Sequence, residues 1–190
     1  MRVVFIIPKL ILLEGLPKYE GINEAKALAD ALRLMMKGYD GRRTRGLKIT
    51  SHTAKDKEDF LRWLERKTDF LHISSHGRVE KGRTTLYLTQ GGKVTADDIE
   101  KLQIKARVIF VNACQVSRRD LANAFFKAGK PRRRYYIAPR IDVPFDEAFL
   151  IALLFYKRAF LEKRPRLFNA IKYVYSLKDI KTNYWLWEGP

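Results

Sequence analysis

The sequence predicts an open, doubly wound α/β fold, in which a mainly parallel sheet carries helices on both faces. Short β-branched runs alternate with helical patterns along most of the chain. The runs are unbroken apolar segments, which is typical of strands buried on both faces of a parallel sheet. Alternation of such strands with helices favours right-handed crossovers and a layered α/β architecture.

The strands and helices follow from local patterns. The apolar, β-branched runs predict strands at 3–7, 47–51, 69–74, 107–112 and 135–138. Apolar residues at helical spacing, with glycine, proline and charge at the ends, predict helices at 23–38, 55–67, 118–130, 144–163 and 166–177. The second helix begins with acids and ends with bases, as the helix dipole favours.

One segment, 84–102, departs from the alternation. Gln-Gly-Gly between two short extended pieces predicts a β-hairpin, and Thr-Ala-Asp-Asp predicts a short helix with Thr95 as its N-cap. We expect this hairpin to lie beside the sheet, between the strand that ends near His76 and the strand that ends near Cys114.

Length and composition predict one globular domain over residues 1–190. The chain has 46% hydrophobic and 12% aromatic residues, with 11 glycines and 7 prolines. Such a chain can bury a full core but is short for two domains. One cysteine cannot form an internal disulfide, so nothing favours an oxidising compartment. Pro8 and Lys9 interrupt the N-terminal apolar stretch, and the run 148–156 is too short to span a bilayer. We expect a soluble cytoplasmic protein.

The formal net charge of +17 predicts attraction to anions. Much of this charge lies in the runs 38–48, 127–134 and 157–166. Solvated surface is the favoured interpretation of these runs, since no aromatics are interleaved with base-reading side chains. Nucleic-acid binding is therefore an alternative and not the first expectation.

The chemistry-bearing residues follow two of the predicted strands. His76 comes after the strand 69–74, and Cys114, the only cysteine, comes after the strand 107–112. In an open parallel sheet, ligands bind beyond the carboxyl ends of the strands. We expect a thiol–imidazole pair there, with the imidazole or the following helix lowering the pKa of the thiol. Gly77 would let the backbone approach a substrate carbonyl, and its N–H with that of Cys114 could form an oxyanion hole.

Each of these residues also has a structural interpretation. A cysteine after an apolar strand is commonly a small buried residue, and a His-Gly turn is common. The joint occurrence of both at strand ends of one sheet favours chemistry. His72, within its strand, is interpreted as a core or supporting histidine, and nothing near His52 singles it out.

The two strand ends resemble those of caspase-fold cysteine peptidases, in which one apolar strand ends in His-Gly and another in the nucleophilic cysteine. The likeness is closest to the CHAT branch of that fold, through "DFLHISSHG", "LYLTQGGKVTADDIEKL" and "ARVIFVNAC". It extends from about residue 69 to the C-terminal "NYWLWEGP", with the earlier part compatible in pattern only.

The resemblance implies a general base at His76, a nucleophile at Cys114 and an oxyanion hole that includes Gly77. Asp146 stands where relatives often place an acid near the substrate pocket, although a carboxylate stabilised by the helix dipole is the favoured interpretation. Asn112 stands where some relatives carry an aspartate that selects basic side chains, so a basic preference is in doubt.

The implied reaction is hydrolysis of a peptide bond through a thioester, with no metal and no organic cofactor. The implied partners are a protein or peptide substrate and an activating protein, with a homodimer through the strand 135–138 as a further option. Two alternatives from other classes stay open: a catalytically silent scaffold that binds a protein, and a nucleic-acid-binding module. The sequence lacks the Gly-x-Ser-x-Gly elbow of α/β hydrolases and the phosphate loop of NTPases.

Overall fold

The structure is a computed structural model that describes residues 7–16, 23–38, 47–129, 133–161, 170, 173 and 184–189. Its strands are β1 Lys9–Glu14, β2 Lys48–Thr53, β3 Phe70–Ser74, β4 His76–Glu80, β5 Arg83–Tyr87, β6 Lys93–Thr95, β7 Val108–Asn112, β8 Arg134–Pro139 and β9 Tyr184–Gly189. Its α-helices are α1 Glu24–Gly38, α2 Lys57–Leu64, α3 Ala96–Glu100, α4 Arg119–Lys127 and α5 Phe145–Tyr156.

Six strands form the central sheet in the order β2-β1-β3-β7-β8-β9. The first five are mutually parallel, and β9 runs antiparallel to β8. From β1 the chain passes to β2 on one side, and from β3 it continues through β7 to β8 on the other. The order of the strands therefore reverses between β1 and β3, which is where open α/β sheets bind their ligands.

The sheet is covered on both faces, as the apolar strands predict. Ile11, Leu13 and neighbouring side chains on one face pack with α2, α3 and α4. Leu10, Leu12 and their neighbours on the other face pack with α1 and α5. Because consecutive side chains of a strand point to opposite faces, each central strand supplies both cores. The doubly wound α/β class is thus confirmed.

Strand β1 was not predicted from the sequence. A strand was expected at 3–7, of which residues 3–6 lie outside the described part of the chain, and Ile7 is exposed and precedes β1. Strand β1 begins at Lys9, directly after Pro8, whose carbonyl accepts a hydrogen bond from the Lys48 N–H. The predicted helix 166–177 lies outside the described residues, apart from positions 170 and 173.

The hairpin between the His-bearing and Cys-bearing strands is confirmed and is larger than expected. Strands β5 and β6 form it, and β4 pairs antiparallel with β5 to complete a separate three-stranded sheet. Thr95 begins α3 as predicted, and the Asp98 carboxylate accepts hydrogen bonds from its N–H and hydroxyl. His76 is consequently the first residue of a strand and does not lie in a turn.

The strand expected at the edge, 135–138, is interior. It belongs to β8, which pairs with β7 on one side and with β9 on the other. The apolar sequence of β8 gave no sign of this second neighbour. A homodimer formed by edge-to-edge pairing of this strand is therefore incompatible with the observed sheet.

Candidate active site

A cleft opens at the carboxyl ends of β1, β3 and β7, where the strand order reverses. We call it the strand-end cleft; its volume is about 210 Å³. Its lining combines side chains from these strand ends with others from α1 and from the segment that leads into α5: Leu16, Glu24, Ser74, Ser75, His76, Asn112, Ala113, Cys114, Val143, Phe145 and Ala148. The fold thus gathers four segments that are distant in sequence.

His76 and Cys114 line this same cleft. Strands β3 and β7 are adjacent, parallel and in register up to the pair Ser74 and Asn112. The next residue, Ser75, donates its N–H to the Asn112 carbonyl at 3.0 Å, which holds the two strand ends together. His76 is exposed and Cys114 is half-buried, so an imidazole and a thiol face a solvent-accessible space.

Gly77 is where the His-bearing segment touches the Cys-bearing one. A Cβ atom at this position would lie 2.3 Å from the Cys114 carbonyl oxygen and 2.4 Å from Val116 Cγ1. Real Cβ contacts are essentially never below 3.0 Å. Close packing therefore requires glycine here, because the missing side chain lets β4 approach the segment that carries Cys114.

The Cys114 thiol is not activated in this arrangement. Burial raises the pKa of the thiol, and the nearby Asp142 carboxylate raises it further. The Cys114 Sγ lies 4.0 Å from the Val143 carbonyl oxygen. The expectation that the imidazole or the following helix lowers this pKa is therefore wrong for this conformation, because desolvation and a negative charge both favour the neutral thiol.

Residues 140–143 form a loop that contacts Gln115, the residue after the cysteine; we call it the 140–143 loop. Gln115 has a φ of 59°, in the left-handed region that side-chain-bearing residues seldom adopt. Its N–H donates to the Ile141 carbonyl at 3.2 Å, and its side-chain amide donates to Asp142 Oδ1 at 3.0 Å. These two hydrogen bonds stabilise the left-handed conformation of Gln115 and keep Asp142 beside the thiol.

Asn112 lies in the cleft with all its amide atoms engaged. It is buried, its Nδ2 donates to Glu24 Oε1 at 2.5 Å and to the Ala148 carbonyl at 3.0 Å, and its Oδ1 accepts from the Tyr184 hydroxyl at 2.7 Å. Through these three hydrogen bonds, Asn112 links β7 to α1, α5 and β9. This role differs from direct selection of a substrate side chain.

Glu24 is the centre of the polar network beneath the cleft. Only 1% of it is exposed. Besides Asn112, its carboxylate contacts His72 Nε2 at 3.0 Å and accepts from the Ser74 hydroxyl at 2.7 Å. His72 is fully buried and its Nδ1 lies 3.2 Å from the Tyr156 hydroxyl. The interpretation of His72 as a core histidine is thus supported.

A second buried carboxylate, Glu14, lies at the end of β1. It accepts hydrogen bonds from the Leu16 N–H at 3.2 Å and the Ala25 N–H at 3.0 Å. Burial raises the pKa of Glu14 to about 7, with a further contribution from the neighbouring Glu24. The hydrogen bonds oppose this shift without cancelling it, so Glu14 titrates near neutral pH.

Sequence reasoning missed the acids that lie at the cleft and chose one that does not line it. Asp146 is exposed in the first turn of α5 and is not among the lining residues. Its dipole-stabilised interpretation fits this position. Glu24 is the first residue of α1, a position where acidic residues are common in helices. Its place in the cleft becomes evident only from the packing of α1 beside β3. His52 lies away from the cleft, bound to Asp59 at 2.7 Å.

The described residues include no group of three or more His, Cys, Asp or Glu side chains that could hold a metal ion. In the same part of the chain, no helix is long and apolar enough to cross a membrane.

Comparison with solved structures defines the class of the fold. A structure of the Saccharomyces cerevisiae separase–securin complex matches 97% of this chain and 12% of its own, with a TM-score of 0.59 and 10% identity. The Drosophila initiator caspase Dronc matches 96% of this chain and 82% of its own, with a TM-score of 0.57 and 8% identity. The protein therefore has a caspase-like fold, and it spans only about an eighth of the separase chain.

The family follows from the sequence itself. A model of the CHAT domain matches residues 15–134, which is more than half of the chain. The protein belongs to the CHAT domain family. The match begins well before residue 69, so it includes the α1 and β2 region. No curated protein sequence matches the chain.

Proposed function

We propose that the protein is a cysteine peptidase in which Cys114 is the nucleophile and His76 the general base. One observation carries the proposal: an imidazole and the single thiol of the chain line the same cleft, at the reversal of strand order in a caspase-like sheet. Membership of the CHAT domain family and the peptidase-like fold support it. We further propose that residues 1–190 form one CHAT-type domain.

In the proposed reaction, His76 accepts the thiol proton and the Cys114 sulfur attacks the scissile carbonyl carbon. The carbonyl π electrons move to oxygen, and the N–H groups of Gly77 and Cys114 are proposed to stabilise the resulting oxyanion. His76 then protonates the leaving amine, the C–N bond breaks, and a thioester remains. Water, deprotonated by His76, adds to the thioester, and cleavage of the C–S bond releases the acid and restores the thiol.

Activation forms part of the proposal because the thiol is held in its neutral form. The 140–143 loop brings the Asp142 carboxylate to the thiol, and Gln115 holds that loop in place. Displacement of the loop by a substrate or an activating protein partner would remove the negative charge and lower the pKa of Cys114. A reducing compartment such as the cytoplasm would keep the thiol available.

The substrate is proposed to be a protein or peptide with an apolar side chain beside the cleaved bond. Leu16, Val143, Phe145 and Ala148 supply apolar surface to the cleft. Both N–H groups of the Asn112 amide are already donated within the protein, and its oxygen accepts from Tyr184. An apolar side chain would bury surface there without leaving a polar group unpaired.

The test is labelling of the single thiol by an electrophilic probe, together with cleavage of a diverse peptide library. The variants are Cys114→Ala, His76→Ala and, as a control on β4, the exposed Arg78→Ala. We expect cleavage to be lost in the first two and retained in the control, and labelling to fall in His76→Ala. Rapid labelling that is indifferent to His76, with no cleavage by any variant, would contradict the dyad.

A second candidate function is a caspase-like scaffold without peptidase activity that binds a protein. The raised pKa of Cys114 favours it, because a neutral thiol is a poor nucleophile. The same labelling experiment separates the two functions. A scaffold would give slow labelling at every tested pH below the ordinary thiol pKa, even with a candidate partner present.

A further inference from the structure

A second pocket lies at the opposite end of the sheet from the strand-end cleft. We call it the amino-end pocket; its volume is about 270 Å³. Lys9 and Lys48, the first residues of the parallel strands β1 and β2, are paired neighbours in register and both line it. Arg66 and Lys67, which follow α2, line the same space together with Thr50 and Trp63. Four cationic side chains thus converge from three segments.

These four cations have no carboxylate partner among the described residues. Among the described residues, none of the four makes an ion pair, whereas Arg62, one turn before Arg66, contacts Asp59 at 2.5 Å. The lining of the pocket includes no carboxylate. The Asp69 carboxylate accepts from the Lys9 backbone N–H and not from its ammonium. The pocket therefore concentrates positive charge without a carboxylate in its lining.

The pocket is partly organised before any ligand arrives. The Arg66 guanidinium lies 3.7 Å from the centre of the Trp63 ring, a cation–π contact that restricts its position. His52 stacks on the same ring at 4.0 Å. Trp63 is only 9% exposed, so it offers no open face on which a nucleobase could stack. The groups available to a ligand are therefore positive charges without a base-reading surface.

We propose that the amino-end pocket binds the phosphodiester backbone of single-stranded nucleic acid, without sequence preference. Arg and Lys together suit phosphate, since a guanidinium donates two parallel hydrogen bonds and an ammonium acts as a point charge. A single strand is flexible enough to bring its phosphates to the four cations, and binding through charge alone carries no sequence information.

Charge outside the pocket favours a nucleic acid over an acidic peptide. Lys48 ends the sequence "GRRTRGLK", which carries three further arginines and no acid. The net charge of +17 far exceeds the four charges of the pocket. A ligand of dense, regular negative charge gains from this excess by releasing counterions along its length, which scattered carboxylates do less well.

The inference is independent of peptidase activity. The pocket lies at the amino ends of the strands and the cleft at their carboxyl ends, about 20 Å apart for strands of six residues. Binding can therefore be measured in the Cys114→Ala variant, where no cleavage complicates it.

The experiment measures fluorescence anisotropy of a labelled, mixed-sequence single-stranded oligonucleotide as salt is varied. In the Cys114→Ala background, Lys9→Gln/Lys48→Gln is compared with Lys26→Gln/Arg33→Gln, which removes two charges from α1, where both cations contact Asp30. We expect the pocket variant to lose affinity on the order of tenfold at 0.1 M salt and its salt slope to fall by about 1.4, since each phosphate contact contributes about 0.7. Arg66→Gln should lose affinity in the same direction.

Three outcomes would overturn the proposal. The first is an absence of binding at 0.1 M salt, and the second is an equal loss of affinity in the pocket and α1 variants, which would indicate only diffuse attraction. The third is tighter binding of polyglutamate than of an oligonucleotide with equal charge, which would assign the pocket to an acidic protein. Unchanged thermal unfolding of each variant shows that the comparison concerns binding and not folding.

Discussion

The polar and charged side chains at the two ends of the sheet differ in burial and in bonding partners. At the carboxyl end, Glu24 and Asn112 are buried and bonded to several partners each. At the amino end, Lys9, Lys48 and Arg66 are exposed and make no ion pair within the described residues. Buried polar groups must find partners, whereas exposed cations can stay unpaired at little cost. The difference separates a region whose polar groups hold the fold from one whose charge is available for binding.

Removal of the Glu24 carboxylate should lower the stability of the protein more than any other change predicted here. Glu24→Ala would leave His72 and the Ser74 hydroxyl without their carboxylate partner in a buried site, and we expect the free energy of unfolding to fall by roughly 3–5 kcal/mol. Lys48→Gln, at the amino end, should change it by no more than about 0.5 kcal/mol. Urea unfolding followed by tryptophan fluorescence measures both, and similar values for the two variants would contradict the distinction.

Glu14 should give the carboxyl end a pH dependence. Its pKa is raised from 4.5 to about 7 in the folded protein, so the folded state binds a proton that the unfolded state has released between these values. Stability should therefore fall as pH rises from about 4.5 to 7, by up to about 3 kcal/mol. Unfolding in urea at several pH values should show this slope in the parent protein and a flatter one in Glu14→Gln. Equal slopes would show that Glu14 is not the group responsible.

The smallest expected effect concerns the thiol. Asp142→Asn removes the negative charge beside Cys114 and keeps an oxygen that can accept from Gln115, so the thiol pKa should fall and labelling at neutral pH should accelerate roughly three- to tenfold. The control is Asp146→Asn, which changes an exposed acid that, unlike Asp142, does not affect the pKa of the thiol. Equal rates in both variants would mean that burial alone sets the reactivity of the thiol.

Much of the fold could be predicted because buried parallel strands have a recognisable pattern in the local sequence. The runs that became β3, β7 and β8 are continuous apolar segments, and each is found within one or two residues of its predicted bounds. Strand β1 was not predicted, because two apolar runs flank Pro8 and local sequence does not say which of them pairs with β2. Strand β4 was missed because "HGRVE" has little apolar content, and pairing with β5 defines it.

The site was predictable only as far as strand ends reveal it. His76 and Cys114 each follow an apolar run, so their arrival at one cleft could be expected from the topology of a parallel sheet. Glu24 and Asp142 could not be identified in this way, because each reaches the cleft from a helix start or a loop with no pattern of its own. The electrostatics of the thiol depend on burial and on Asp142, and these exist only after folding.

Gly77 has a mechanical consequence for the proposed catalytic pair. A side chain at this position would collide with the backbone carbonyl of Cys114, an atom that no rotamer change can move, so the two backbone segments can lie this close only with glycine here. The backbone segments that carry the imidazole and the thiol are thus closely packed against each other. Adjustment must come from the side chains themselves or from the 140–143 loop, which confines any on–off control of this centre to one side of the cleft.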